Sequence, residues 1–201
     1  EHAYGRDEFA TGLRSSRNTV LDFYARSPDY RVVHENLTDM TQVTSAMTYQ
    51  KGSWVLHMLR QQMGDDRFWA GIREYHTRFK DATASTTDFR LAMERASGLD
   101  LAAFFQQWLY RGGVPRLEGT WRWDAAAKAV VVELAQTQPG DPFQLTVEIG
   151  ITVPGGKPRV ERGVLTARSA RFTFASDLEP DAVSLDPNLR VLIDGHLTRG
   201  N

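Results

Sequence analysis

The sequence predicts an α+β chain, with a helical bundle segment of about five helices followed by an antiparallel β-sandwich. Three observations predict it. Apolar residues recur at i, i+3, i+4 and i+7 through the first part of the chain, and the period changes to two from Val114 onward. Gly112-Gly113 stands between the two patterns and breaks the helical half. The chain therefore divides into 1–113 and 114–201, and 201 residues at 41% apolar content suffice to bury a core.

Arg6 to Arg26 reads as the first helix, with Phe9, Leu13, Val20 and Tyr24 at helical spacing and Ser27-Pro28 as its stop. Asp29 to Ala46 has no sustained period and reads as an extended connector. A second helix beginning near Thr48 would put Gly52, Leu56, Leu59 and Met63 on one face, with Val55 and Met58 beside them and Gly64 as a left-handed stop. The third helix takes Asp65 as its cap and Phe68, Trp69, Ile72, Tyr75, His76 and Phe79 as its stripe, a pattern of packing in which His76 lies on the edge. Ser85-Thr86-Thr87-Asp88 is a capping-box-like start to a fourth helix, with Phe89, Ala92, Met93 and Ala96 inward and Gly98 as stop. Asp100 caps a fifth, where Leu101, Phe104, Phe105, Trp108 and Leu109 repeat at core spacing.

In the second part Leu117, Trp121 and Trp123 share one strand parity, and Val130, Val132 and Leu134 follow the turn at Asp124 to Lys128. The clearest strand is Phe143 to Ile151. Pro154 to Pro158 is a turn, and short strands carry Val160 and Val164, Phe172 and Phe174, and Leu189, Val191 and Ile193. Regularly spaced short strands with one apolar face argue for two packed sheets.

Charge and composition exclude several classes. Twenty-four basic against 25 acidic residues, a net charge of -1, argue against nucleic acid as a partner. No cysteine is present, so there is neither a disulfide framework nor thiolate chemistry. No run reaches the length of a membrane span, and the start has no apolar signal region.

The stretch with chemical character is Thr44 to Leu59, where Tyr49 falls in the first turn of an amphipathic helix. A phenol has an ordinary pKa of about 10, so at neutral pH it keeps its proton and can donate a hydrogen bond from a helix mouth. That is what an oxyanion stabiliser needs.

Tyr49-Gln50-Lys51-Gly52, followed by Val55-Leu56-His57-Met58-Leu59, resembles the Tyr-Glu-Lys-Gly helix start of the aminopeptidase N family of zinc metallopeptidases, the gluzincins. Gly64 to Phe68, Tyr75, Phe79, Thr86 to Phe89, Ser97-Gly98 and Phe104 to Leu109 are similar, in order, to the segments downstream of that tyrosine in the family. Upstream, Glu1 to Arg6 resembles the helix after the family's last zinc ligand. Downstream, Gln136-Thr137-Gln138 and Leu185-Asp186-Pro187 resemble its β-sandwich. Gln50 departs from the pattern, standing where the family usually has Glu.

The resemblance implies that 1–113 is the helical part of a thermolysin-like catalytic domain and 114–201 a β-sandwich domain. It implies hydrolysis of N-terminal residues from peptides, with Tyr49 as the catalytic residue that stabilises the transition state. It also implies zinc in the complete enzyme. The family's H-E-x-x-H helix, its third ligand Glu and its Gly-x-Met-Glu-Asn strand are absent from these 201 residues. His34-Glu35 is the nearest candidate, but the spacing demands a second histidine where Thr38 stands. The chain is therefore expected to begin downstream of the zinc site, to bind no zinc itself, to be inactive alone and to need a missing catalytic half as partner. An apolar helical face left by that half would favour self-association.

Two other readings compete with a severed portion of an enzyme. The chain could be a non-catalytic peptide- or protein-interaction module derived from such a peptidase, with Tyr49 a relic. It could instead be a carbohydrate-binding sandwich with a helical cap, if Trp121 and Trp123 both face solvent; Leu117 shares their parity and favours core.

Overall fold

The structure, a computed structural model, describes residues 5–34, Thr38 and 46–200. The chain forms two compact units, Glu1–Gly113 and Val114–Asn201.

In the first unit α1, Arg6–Arg26, buries Leu13, Ser16, Val20 and Tyr24, a single face at spacings of three and four. Asp7 and Glu8 in its first turn and Arg26 in its last complement the helix dipole. Glu1 to Tyr4 and most of the connector lie outside the described residues. The second helix begins differently from the expected start at Thr48. A π-helical turn, Ala46–Lys51, runs into α2, Gly52–Met63.

Helix α2 buries Trp54, Val55, His57, Met58, Leu59 and Met63, whereas Leu56, expected inward, is 41% exposed. The indole decides the helix's rotation. Trp54 has far more apolar surface to remove from water than Leu56, and its Nε1 donates to the Leu13 carbonyl of α1 at 3.2 Å.

Gly64, at φ 80°, joins α2 to α3, Asp65–Phe79. It is Gly64 that occupies the cap position, and Asp65 instead takes a two-pronged hydrogen bond from Arg60 at 2.8 and 2.6 Å. The buried face of α3 is narrower than its stripe: Phe68 and Gly71 are buried, while Trp69 and His76 are exposed. Gly71 is what brings α4 close, since a Cβ there would lie 2.5 Å from the Met93 sulfur. Helix α4, Thr86–Ser97, has the predicted capping box between Ser85 and Asp88 and ends at Gly98 in the left-handed region. Helix α5, Ala102–Leu109, buries Phe105, Trp108 and Leu109, and the Asp100 carboxylate accepts the Ala102 N–H at 2.9 Å.

The described residues of the second unit form seven strands: β1 Arg116–Asp124, β2 Ala129–Gln136, β3 Leu145–Thr152, β4 Arg159–Leu165, β5 Ser169–Ala175, β6 Ala182–Leu185 and β7 Asp194–Arg199. They form a four-stranded sheet ordered β5-β2-β1-β7 and a three-stranded sheet ordered β4-β3-β6. Register puts Trp121 opposite Val132 and Leu117 opposite Gln136, so the predicted apolar rows share one face. Leu145, Val147, Ile149 and Ile151 form the buried row of β3. All pairings are antiparallel except that of β1 with β7.

Two expectations are corrected. Leu189 to Ile193 is not a strand; it is a buried connection between β6 and β7. Asp186, in the left-handed region at φ 48°, organises it by accepting the Arg190 and Val191 N–H groups at 2.9 and 3.1 Å. Val160 and Val164 are exposed, because the residues that β4 buries, Gly163 and Leu165, have the opposite parity.

Among the described residues, the buried polar side chains of this unit are paired. The Glu148 carboxylate, 3% exposed, accepts the Asn188 amide at 2.8 Å and faces Arg190 and Arg162 at 3.4 and 3.5 Å. Gln136, 1% exposed, donates to the carbonyls of Phe143 and Ala167 at 2.8 and 3.0 Å and accepts from the Phe143 N–H and the Gln138 amide at 2.8 and 2.9 Å. Every hydrogen-bonding position of that amide is used.

Candidate functional site

The π-helical turn separates one exposed phenol from two buried neighbours. In a helical turn residues two apart point nearly opposite ways. Met47 and Lys51 both have zero exposure, and Tyr49 between them is 72% exposed. Helix α1 holds the backbone of this turn: Ser16 Oγ donates to the Gln50 carbonyl at 3.2 Å, one residue from Tyr49. Single π-helical turns occur frequently at functional sites, where the widened turn re-aims a side chain.

Lys51 acquires a role only in three dimensions. Its Nζ donates to Tyr24 Oη at 2.6 Å and to the Gly113 carbonyl at 3.4 Å, and it lies 4.8 Å from the Tyr24 ring centroid. Tyr24 Oη in turn donates to the Tyr30 carbonyl at 3.1 Å. A signal was present in the sequence: Met47, Lys51 and Val55 form an i, i+4, i+8 row, which sets the lysine on the apolar face. Gly112 makes the acceptor reachable, since a Cβ there would lie 2.7 Å from the Pro28 carbonyl oxygen. Val32 and Val33 N–H groups both donate to the Leu109 carbonyl at 3.1 Å, which fixes the exit from α1 against the end of α5.

Burial, reinforced by the Arg111 guanidinium, pushes the Lys51 amine down to about 7. Burial, reinforced by the Tyr30 phenol, pushes Tyr24 well above its ordinary value. The consequence for stability has a definite sign. Between about pH 7 and pH 10 the unfolded chain keeps a proton on Lys51 that the folded chain has released, so stability rises with pH through that window. Below it both states are protonated and the burial penalty is felt in full. The unfolding free energy of the wild type minus that of Lys51→Met is therefore expected to increase by about 2 to 3 kcal/mol from pH 6 to pH 9, read by urea titration. A flat difference would mean that the buried amine stays charged.

Tyr49 stands at an open groove of about 540 Å³ within the first unit, lined among others by Val33, Val55, Leu56, Tyr75 and Phe89. The walls are mostly apolar and the phenolic O–H is a hydrogen-bond donor at their edge, an arrangement that can stabilise negative charge developing on a bound oxygen.

The other sequence candidates do not join it. His34 has a buried Nε2 with no hydrogen-bond partner among the described residues, its ring packed edge-on to Tyr30 at 5.0 Å, and Glu35 lies outside the described residues. Among the described residues no group of three or more His, Asp or Glu is placed to hold a metal ion. No described helix is long and apolar enough to cross a membrane. Trp121 is buried, with Arg199 5.2 Å from its ring, and Trp123 is half-buried with its indole N–H bonded to the Ser176 carbonyl at 3.1 Å. The two indoles form no exposed sugar-stacking pair.

Comparison with known proteins gives a consistent result. The family model for the peptidase family M1 domain matches residues 4–108. The chain is 33% identical to the alanine/arginine aminopeptidase of Saccharomyces cerevisiae over 97 residues, covering 48% of this chain and 11% of that protein. It is 27% identical to aminopeptidase N of Escherichia coli over 155 residues, covering 69% and 18%. With the puromycin-sensitive aminopeptidase of Caenorhabditis elegans it shares 28% over 174 residues, covering 84% and 18%. The chain thus spans less than a fifth of these relatives' lengths. The crystal structure of Legionella pneumophila aminopeptidase A in complex with aspartic acid matches its fold at a TM-score of 0.69 and 16% identity, covering 96% of this chain and 23% of that one.

Proposed function

Because the chain belongs to peptidase family M1, whose domain model matches residues 4–108, we propose that it is a portion of a zinc-dependent aminopeptidase. In this reading it contributes the tyrosine that stabilises the transition state, together with a β-sandwich, and not the zinc ligands. The observation that carries the reading is Tyr49 itself: a 72% exposed phenol on a turn whose neighbours Met47 and Lys51 are wholly buried. An aromatic side chain left in water at a groove mouth adds little to the fold, so its place there is best explained by something it touches.

The described residues do not fit a zinc ion, and the sequence contains no H-E-x-x-H. The metal and the water it activates belong to the rest of the enzyme. This chain supplies one hydrogen bond. As a peptide carbonyl is attacked, charge accumulates on its oxygen, and a phenol aimed at that oxygen binds more strongly in the transition state than in the ground state. The groove beside Tyr49 would hold apolar parts of the peptide near the reacting carbonyl.

A direct test compares this chain with the complete protein that contains it, on an aminoacyl-coumarin substrate with added zinc. The expected result is no turnover by the chain alone and zinc-dependent turnover by the complete protein. Turnover by the isolated chain would require a metal site of its own and would overturn the proposal. Inactivity of the zinc-loaded complete protein would instead favour a peptide-binding module that does not cleave.

A further inference from the structure

We propose that Lys51 is a positioning residue for Tyr49: its buried amine fastens the π-helical turn to the Tyr24 hydroxyl and the Gly113 carbonyl, and so fixes the direction in which the phenol leaves the turn. The inference rests on the reading of Tyr49 as an oxyanion donor and extends it to a residue that touches no substrate.

An exposed side chain has little packing to hold it, so its aim is inherited from its backbone. At 72% exposure Tyr49 is in that position, and its turn departs from the α-helical path of the residues beyond it. Met47 anchors the turn by apolar burial, which resists withdrawal but tolerates small rotations. Lys51 adds what Met47 lacks. A hydrogen bond of 2.6 Å to Tyr24 Oη depends on angle as well as distance, and the chain of bonds continues from Tyr24 Oη to the Tyr30 carbonyl. Two residues beyond Tyr49, that bond sets the rotation of the turn about its axis.

The choice of residue points the same way. Burying an amine completely is costly, and a Leu or Met would fill a core position of this size without that cost. Burial pushes the Lys51 amine far below the ordinary lysine value, down to about 7, which is the mark of that cost. The groups acting on it are the Tyr24 phenol and the Arg111 guanidinium, so no carboxylate offsets it among the interactions described. What the lysine provides and an apolar residue cannot is a directed tie to α1 and to the glycine pair that ends the helical unit.

The test is a double-mutant cycle in the complete enzyme, with kcat and KM measured on an aminoacyl-coumarin. Lys51→Met is expected to lower kcat by about ten- to a hundredfold with KM nearly unchanged, the scale of a misplaced catalytic group. In the Tyr49→Phe background the same change is expected to cost nothing further, because the group it aims is gone. Multiplying losses, or an unchanged kcat in Lys51→Met beside a slow Tyr49→Phe, would overturn the positioning role and leave the reading of Tyr49 intact. Full turnover by Tyr49→Phe would remove the reading and the inference together. Should Lys51→Met not fold, Tyr24→Phe decides the matter: it keeps the ring and removes the hydroxyl that accepts from Lys51. Its kcat is expected to fall roughly three- to tenfold, as for one lost hydrogen bond, and only while Tyr49 is present. An equal loss in both backgrounds would overturn the proposal.

Discussion

Replacing Tyr49 by Phe in the complete enzyme is expected to lower kcat by about a hundredfold or more, the cost of losing a single oxyanion donor. The substitution removes one oxygen and keeps the ring. Because the side chain is 72% exposed and touches little, the fold has almost nothing to lose, and the thermal midpoint is expected to stay where it was. KM is expected to remain near the wild-type value, since the hydrogen bond forms as charge develops and contributes little to the ground state. That split separates the catalytic role from its rivals. A change confined to KM would mean that the phenol binds substrate uniformly; an unchanged kcat would mean that Tyr49 is a relic on a binding surface.

The second large effect concerns stability. Gln136→Met, close in volume and without polar atoms, is expected to destabilise the chain by about 3 to 6 kcal/mol. Four hydrogen bonds end on this amide, linking the end of β2 to Phe143 before β3, to Ala167 before β5, and to Gln138. Gln138 in turn accepts the Arg116 N–H at 2.9 Å, so the start of β1 depends on the same cluster. Methionine would remove the three buried bonds that the amide makes with the Phe143 N–H, the Phe143 carbonyl and the Gln138 amide, and a fourth, part-buried one to the Ala167 carbonyl, each at the cost of a lost hydrogen bond. Urea unfolding followed by tryptophan fluorescence measures it. A loss below about 1 kcal/mol would show that water takes the amide's place and that the cluster is not a structural hub.

Much of this fold was legible because its signals are local. The capping box at Ser85 and Asp88, the glycine stops at 64 and 98 and the change of period after Gly113 each depend on a few neighbouring residues. Rotations of helices were less legible. The exposure of Leu56 comes from Trp54 reaching the Leu13 carbonyl, a contact across 41 positions. Leu189 to Ile193 reads as a strand from its alternation, yet what holds it is the Asp186 side chain, which caps two backbone N–H groups and leaves no ladder to join. At the candidate site Tyr49 could be picked out by its neighbours in sequence. Lys51 could not be assigned a role that way, because its partners are Tyr24, 27 positions earlier, and Gly113, 62 positions later.

The parallel pairing of β7 with β1 has a consequence for how this unit is made. β1 is an interior strand of its sheet, but one of its two neighbours begins at Asp194, after every other strand of the unit. During synthesis the N-terminal strands can assemble while one border of β1 still presents unpaired N–H and C=O groups. That closure across the unit is a non-local contact of the kind that slows folding. The nascent sheet therefore passes through a stage with an open, adhesive border, and its safe completion depends on the last strand arriving before another chain does.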